Sequence, residues 1–198
     1  MKLADLLVRL EKDGLLLLSD ARLPSVVSLV VGAPAKGSWW SHRKGREIYA
    51  LLEELGDHED VLAAKLVAGK VTFVHRRLWP SLLAIASARE PWQMKGLSSA
   101  ARRLLARVEA EGALEASGVA VKELEVRLLV HTEQVHTKTG SHALVLTSWS
   151  HWAKRHAPIG RAVPLATAKM EVEAALDPSA VKPRQAGSAP FGWLRGKV

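Results

Sequence analysis

The segment MKLADLLVRLEKDG sets leucines against charged residues at helical spacing and predicts an amphipathic helix. Gly14 suits the left-handed position just past a helix end, and a short apolar segment follows it. The pattern then returns. LLVRLEKDGLLLLS (Leu6–Ser19) aligns without a gap to LLARVEAEGALEAS (Leu104–Ser117), matching Arg9 to Arg107, Glu11 to Glu109, Gly14 to Gly112 and Leu16 to Leu114. The echo predicts a duplicated unit of helix, glycine and strand; the alternative is two amphipathic helices alike by chance.

After the first copy, LPSVVSLVVG (Leu23–Gly32) predicts a short helix with Pro24 near its start, and GAPAKGSWW a loop punctuated by Gly and Pro. KGREIYALLEEL places Ile48, Leu51, Leu52 and Leu55 on one helical face. VLAAKLVAGKVTFV predicts a hairpin with Ala68-Gly69 as its tight turn. In that register Leu66 faces Val71 and Ala64 faces Phe73, while Lys65 and Thr72 share the other side with Lys70. Helix, strand, helix, helix, strand, turn, strand is the order of a winged helix.

HRRLWPSLLAIASARE (His75–Glu90) predicts a linking helix and PWQMKG (Pro91–Gly96) a break. In LSSAARRLLARVEAEG, Ser98 caps a helix striped by Leu97, Ala101, Leu104, Leu105 and Val108. A further helix, about Val119–Val130, buries Val121, Leu124 and Leu128 and turns Lys122, Glu123, Glu125 and Arg127 outward. EQVHTKTGSHALVLTSW then closes a second hairpin about Thr139-Gly140, with one helix of the first half's order short or missing before it. There His136 opposes Ala143 and Thr137 opposes His142, so the two histidines fall on opposite faces and no Cys, Asp or Glu completes a zinc set. Val135, Leu144 and Leu146 face a core. The sequence thus predicts an α+β protein of two winged-helix-like modules, residues 1–90 with the linking helix and 91–160, and a basic C-terminal tail containing Pro and Gly, 161–198. From about Asp177 that tail is expected to run extended, unless Phe191 and Trp193 pin it to the surface.

Composition narrows the chemistry. The 198 residues, 48% of them hydrophobic, are enough for sizeable cores, and seven of the few aromatics are Trp. The absence of Cys excludes disulfides, thiolate metal sites and cysteine nucleophiles and suits a reducing cytoplasm. No apolar run reaches membrane-spanning length, and Asp5, Arg9 and Glu11 interrupt any signal-peptide core. A net charge of +8 favours a polyanionic partner, with nucleic acid, double-stranded DNA above all, as the leading one.

The cations that would meet phosphate are Arg43, Lys44 and Arg46 entering the third helix, Lys65 and Lys70 on the first hairpin, His75, Arg76 and Arg77 before the linking helix, and Lys138 at the second hairpin tip. Arg76 and Arg77 stand equally well as bridges to carboxylates such as Glu59 and Asp60. In SWWSHRKGR, Trp39 and Trp40 offer faces for base stacking, although one of an adjacent pair is expected to be buried between the modules. No nucleophile elbow, Walker loop, paired-histidine zinc motif or dinucleotide glycine pattern occurs, and no cofactor is implied. Two further readings stay open: a nucleic-acid-processing enzyme with His75 or His42 as acid/base, and a protein-interaction module docking through its tryptophans.

LLVRLEKDG, KLVAGKVTFVHRRLWP and LEVRLLVHTEQVHTKTGSHALVLTSW together cover about half the chain. On these segments it resembles the tandem winged-helix proteins of bacteria and, faintly, the AlkZ-type DNA glycosylases. The resemblance implies a DNA-facing scaffold. It does not carry the glycosylase activity over, because that family's paired glutamines, separated by one residue, have no counterpart among Gln93, Gln134 and Gln185.

Overall fold

In the computed structural model, which describes residues 1–34, 37–136, 142–156, 162–176 and 190–194, helix α1 (Leu3–Asp13) stops where the sequence predicts. Gly14 takes φ 84° and donates its N–H to the Leu10 carbonyl at 2.6 Å. Strand β1 (Leu15–Leu17), α2 (Val26–Val31), α3 (Gly45–Gly56), β2 (Val61–Val67) and β3 (Lys70–His75) follow, and the strands form an antiparallel sheet in the order β1-β3-β2. Next come α4 (Trp79–Ser87), α5 (Pro91–Met94), α6 (Ser99–Glu111), β4 (Ala113–Glu115), α7 (Val119–Val126), β5 (His131–His136) and β6 (His142–Thr147). The second sheet repeats the first one's order as β4-β6-β5. Helices α8 (Trp149–His156) and α9 (Leu165–Ala174) and a short 3-10 turn, Gly192–Leu194, complete the described chain, an α+β arrangement with two small antiparallel sheets.

The sequence echo has a geometric counterpart. The Gly14 carbonyl accepts the His75 N–H at 3.0 Å, and the Gly112 carbonyl accepts the Ser148 N–H at 2.9 Å. Leu16 pairs with Phe73 and Leu114 with Leu146, in each case joining the first strand to the third. Ser98 caps α6 as expected, its Oγ accepting the Ala101 N–H at 3.1 Å. No helix stands between β4 and α7.

Apolar residues gather in three clusters. Leu6, Leu10, Val27, Ile48, Leu55 and Phe73 fill the space between α1, α2, α3 and one face of the first sheet. Leu97, Leu105, Val108, Leu124 and Leu146 do the same in the second half. The third cluster is the seam that joins the halves. Leu15, Leu17, Leu62, Leu66 and Val74, from the other face of the first sheet, meet Leu82, Ile85, Leu128, Trp149, Trp152, Val172, Phe191 and Trp193. The first sheet is therefore buried on both faces, which explains why its first strand is a continuous run of leucine rather than an alternation. Trp79 and Trp152 meet edge to face at 5.1 Å, and Trp149 donates its indole N–H to the Leu128 carbonyl at 2.8 Å.

Several expectations need correction. In the first hairpin Val67 pairs with Lys70 across the Ala68-Gly69 turn, but the register shifts between Lys65 and Val67. Leu66 is the extra residue of this bulge, so Lys65 opposes Val71, and Phe73 opposes Ala63 rather than Ala64. In the second hairpin His136 opposes His142 and Val135 opposes Ala143, one position away from the register expected from a turn at Thr139-Gly140, which lies outside the described residues. The two histidines are thus cross-strand partners, not residues of opposite faces, and Val135 does not share the face of Leu144 and Leu146. PWQM is not a simple break. It forms α5, with Pro91 in the first turn and Glu90 and Gln93 capping each other. The region expected to be a basic tail contains α9, which packs Ala168 and Val172 into the seam, and of the two alternatives for its end the described residues fit the pinned one, with Phe191 and Trp193 buried there.

Candidate nucleic-acid interface

The predicted cations divide by what they already touch. Lys65 is bound to Glu125 at 2.5 Å, and Thr132 donates to the same carboxylate at 2.6 Å. Glu125 is 7% exposed, so it faces the seam and not solvent. It lies four residues after Val121 and three before Leu128, on the helix's apolar stripe; that position was the sequence signal for its burial. The hairpin carrying Lys65 is itself docked: Gly69 lies against Val126, and Ala68 donates its N–H to the Pro190 carbonyl at 2.6 Å. Lys70 binds Asp20 at 2.6 Å. Burial penalises the Asp20 charge, but that ammonium and the Leu23 and Arg22 N–H groups outweigh it and leave the carboxyl below its ordinary range.

Arg76 takes the bridging role, binding Asp60 at 2.7 Å. Arg77 caps α1 instead, donating to the carbonyls of Glu11 at 2.9 Å and Lys12 at 3.2 Å. It also lines a cleft of about 720 Å³ between α1, β1 and α9, where Arg9 is bound to Asp13 and Glu171 accepts from the Ser81 hydroxyl. His75 accepts the Arg77 N–H through Nδ1, and burial lowers its pKa. Just past the end of α7, Arg127 reaches the carbonyls of Trp92, Gln93 and Lys95, so it joins α5 to α7 rather than facing outward. Lys138 lies outside the described residues.

A different picture holds at the entrance to α3. A short 3-10 turn, Trp39–Ser41, leads through His42 and Arg43 into the helix. Trp39 is half-buried against the first-half core, not between the halves, whereas Trp40 is 72% exposed. Their rings meet edge to face at 5.6 Å. The turn is closely tied: His42 donates its N–H to the Trp39 carbonyl at 3.1 Å, Gly45 to that of His42 at 2.7 Å, and Lys44 donates Nζ to Val30 at 2.6 Å. His42 Nδ1 accepts the Lys44 N–H. A Cβ on Gly45 would lie 2.9 Å from the Trp40 carbonyl, so this close approach requires glycine. Arg43 and Arg46 are exposed, and neither has an acid partner among the described residues. Glu47, beside them, is held by the N-terminal ammonium at 3.3 Å.

Of the predicted cations that are described, Arg43 and Arg46 are thus left without an acid or carbonyl partner, while Lys44, Lys65, Lys70, Arg76 and Arg77 serve the fold. Among the described residues there is no group of three or more His, Asp or Glu arranged to hold a metal, and no helix long and apolar enough to cross a membrane. No family model, curated protein or solved structure matches the chain.

Proposed function

We propose that the chain is a tandem winged-helix protein that binds duplex DNA through phosphate contacts centred on the start of α3. The observation carrying this reading is the exposed pair Arg43 and Arg46 at the start of α3, which have no acid partner among the described residues, whereas Lys65, Lys70 and Arg76 each have one. The order α1-β1-α2-α3-β2-β3 with sheet order β1-β3-β2 supports the winged-helix part, as does its recurrence in the second half without the helix between β4 and α7. The polarity of α3 fits an approach by its N-terminal end, where free N–H groups and guanidinium groups attract phosphate. Glu53 and Glu54 sit at the far end, away from the backbone being gripped.

Anisotropy of a labelled duplex tests it. Affinity falls by orders of magnitude between about 50 and 200 mM salt, and the Arg43→Ala/Arg46→Ala double variant lowers the slope of log affinity on log salt by about 2. Lys70→Ala leaves the slope unchanged, because that ammonium already faces Asp20. Absence of binding at low salt, or a slope the double variant does not alter, refutes the proposal.

A further inference from the structure

Resting on that reading, we infer that the Trp39–Arg46 turn accepts an unpaired base: the Trp40 indole stacks on it while Arg43 and Arg46 hold the adjoining phosphates, so the preferred partner contains a single-stranded stretch. Tryptophan is among the residues whose surface water most disfavours; in the seam Trp79, Trp149, Trp152 and Trp193 are each about 5% exposed, and Trp39 and Trp92 are half-buried. Trp40 is the exception, and nothing in the described chain covers it. Its position is not that of a loosely tethered ring. Trp39, packed on the core, meets it edge to face, and the backbone on both sides is fixed by the Trp39–His42 and His42–Gly45 hydrogen bonds. A platform held in place before binding loses little conformational freedom when a flat ring lands on it.

The charge beside the indole selects the kind of ring. The residues that follow Trp40 along the chain include Arg43 and Arg46, both exposed and without an acid partner among the described residues. Alternation of a stacking face with phosphate-binding cations is what an unpaired nucleotide requires. A paired base within a duplex presents only its edges, so Trp40 contributes to duplex binding little beyond contact area.

The test compares labelled oligo-dT with a duplex of equal length, using the full chain and the variants Trp40→Ala, Trp40→Phe and Arg43→Ala/Arg46→Ala. Trp40→Ala weakens oligo-dT binding about tenfold to a hundredfold and duplex binding less than about twofold; Trp40→Phe restores part of the loss. The arginine variant weakens both ligands. Since Trp40 is largely exposed, circular dichroism melts of the Trp40 variants match that of the parent chain. Salt-dependent duplex binding with no effect of Trp40→Ala on oligo-dT overturns the stacking inference and leaves the duplex reading standing. Binding to neither oligonucleotide overturns both.

Discussion

Acidification is expected to destabilise this protein through one residue that the sequence did not single out. His131 is 7% exposed, wedged against Trp149 at 5.7 Å and Trp152 at 5.9 Å between ring centroids, and its Nδ1 has no hydrogen-bond partner. Burial pushes its pKa from 6.5 down to about 4, and the neighbouring His156 acts in the same direction; a hydrogen bond to the Ala63 backbone and the Glu125 charge oppose it. The unfolded chain takes up the proton near 6.5, while the folded chain refuses it until about 4. Stability is therefore indifferent to this group above about pH 7.5 and is lost as pH falls between those two values. Integrated from pH 7.5 to pH 5, the loss is about 2 kcal/mol. Urea denaturation at both pH values, for the parent chain and for His131→Phe, isolates the effect, since other groups titrate alike in the two proteins. The variant should lose about 2 kcal/mol less than the parent over the same pH interval, whatever its absolute stability. Equal losses would refute the assignment of a neutral, buried imidazole to the seam.

The two lysines of the first hairpin should behave differently. Lys65→Met strands the Glu125 carboxylate in the seam and should cost about 3 kcal/mol by chemical denaturation, whereas Lys70→Met leaves Asp20 still accepting from the Arg22 and Leu23 N–H groups and should cost about 1 kcal/mol or less. Among the glycines, Gly14→Ala places a Cβ 2.5 Å from the Arg77 guanidinium and Gly112→Ala places one 2.6 Å from His151, both at left-handed φ. Each should lower the melting temperature more than Gly32→Ala, which has the same backbone constraint of about 1 kcal/mol but open space around it.

The elements most legible in the sequence were those whose signal is local. Gly14, Gly112 and Ser98 act on their own helix ends, so spacing alone located them. Helix α9 escaped notice because LATAKMEVEA buries only Ala168 and Val172 and shows no broad apolar stripe. The bulge at Leu66 has no local mark either: both Leu66 and Val67 are buried, and what decides their register is the seam beneath them. Candidate ligands were harder still. A lysine's sequence neighbourhood does not reveal whether a carboxylate sixty residues away, as Glu125 is from Lys65, will meet it after folding. Arg43 and Arg46 differ from Lys65, Lys70 and Arg76 only in lacking such a meeting, and tertiary structure alone makes that distinction.

Pro190–Leu194 is the last described stretch of the chain, yet it touches the hairpin at Ala68, the ring of Trp92 and the carboxylate of Glu173. During synthesis, then, each half can acquire its own interior while the ribosome is still adding residues, but the surface that unites them stays uncovered until Phe191 and Trp193 have left the exit tunnel. Between those two moments the nascent polypeptide presents a sticky, tryptophan-rich flank to its surroundings. Vectorial emergence makes that interval the stage at which a chaperone's grip would matter most.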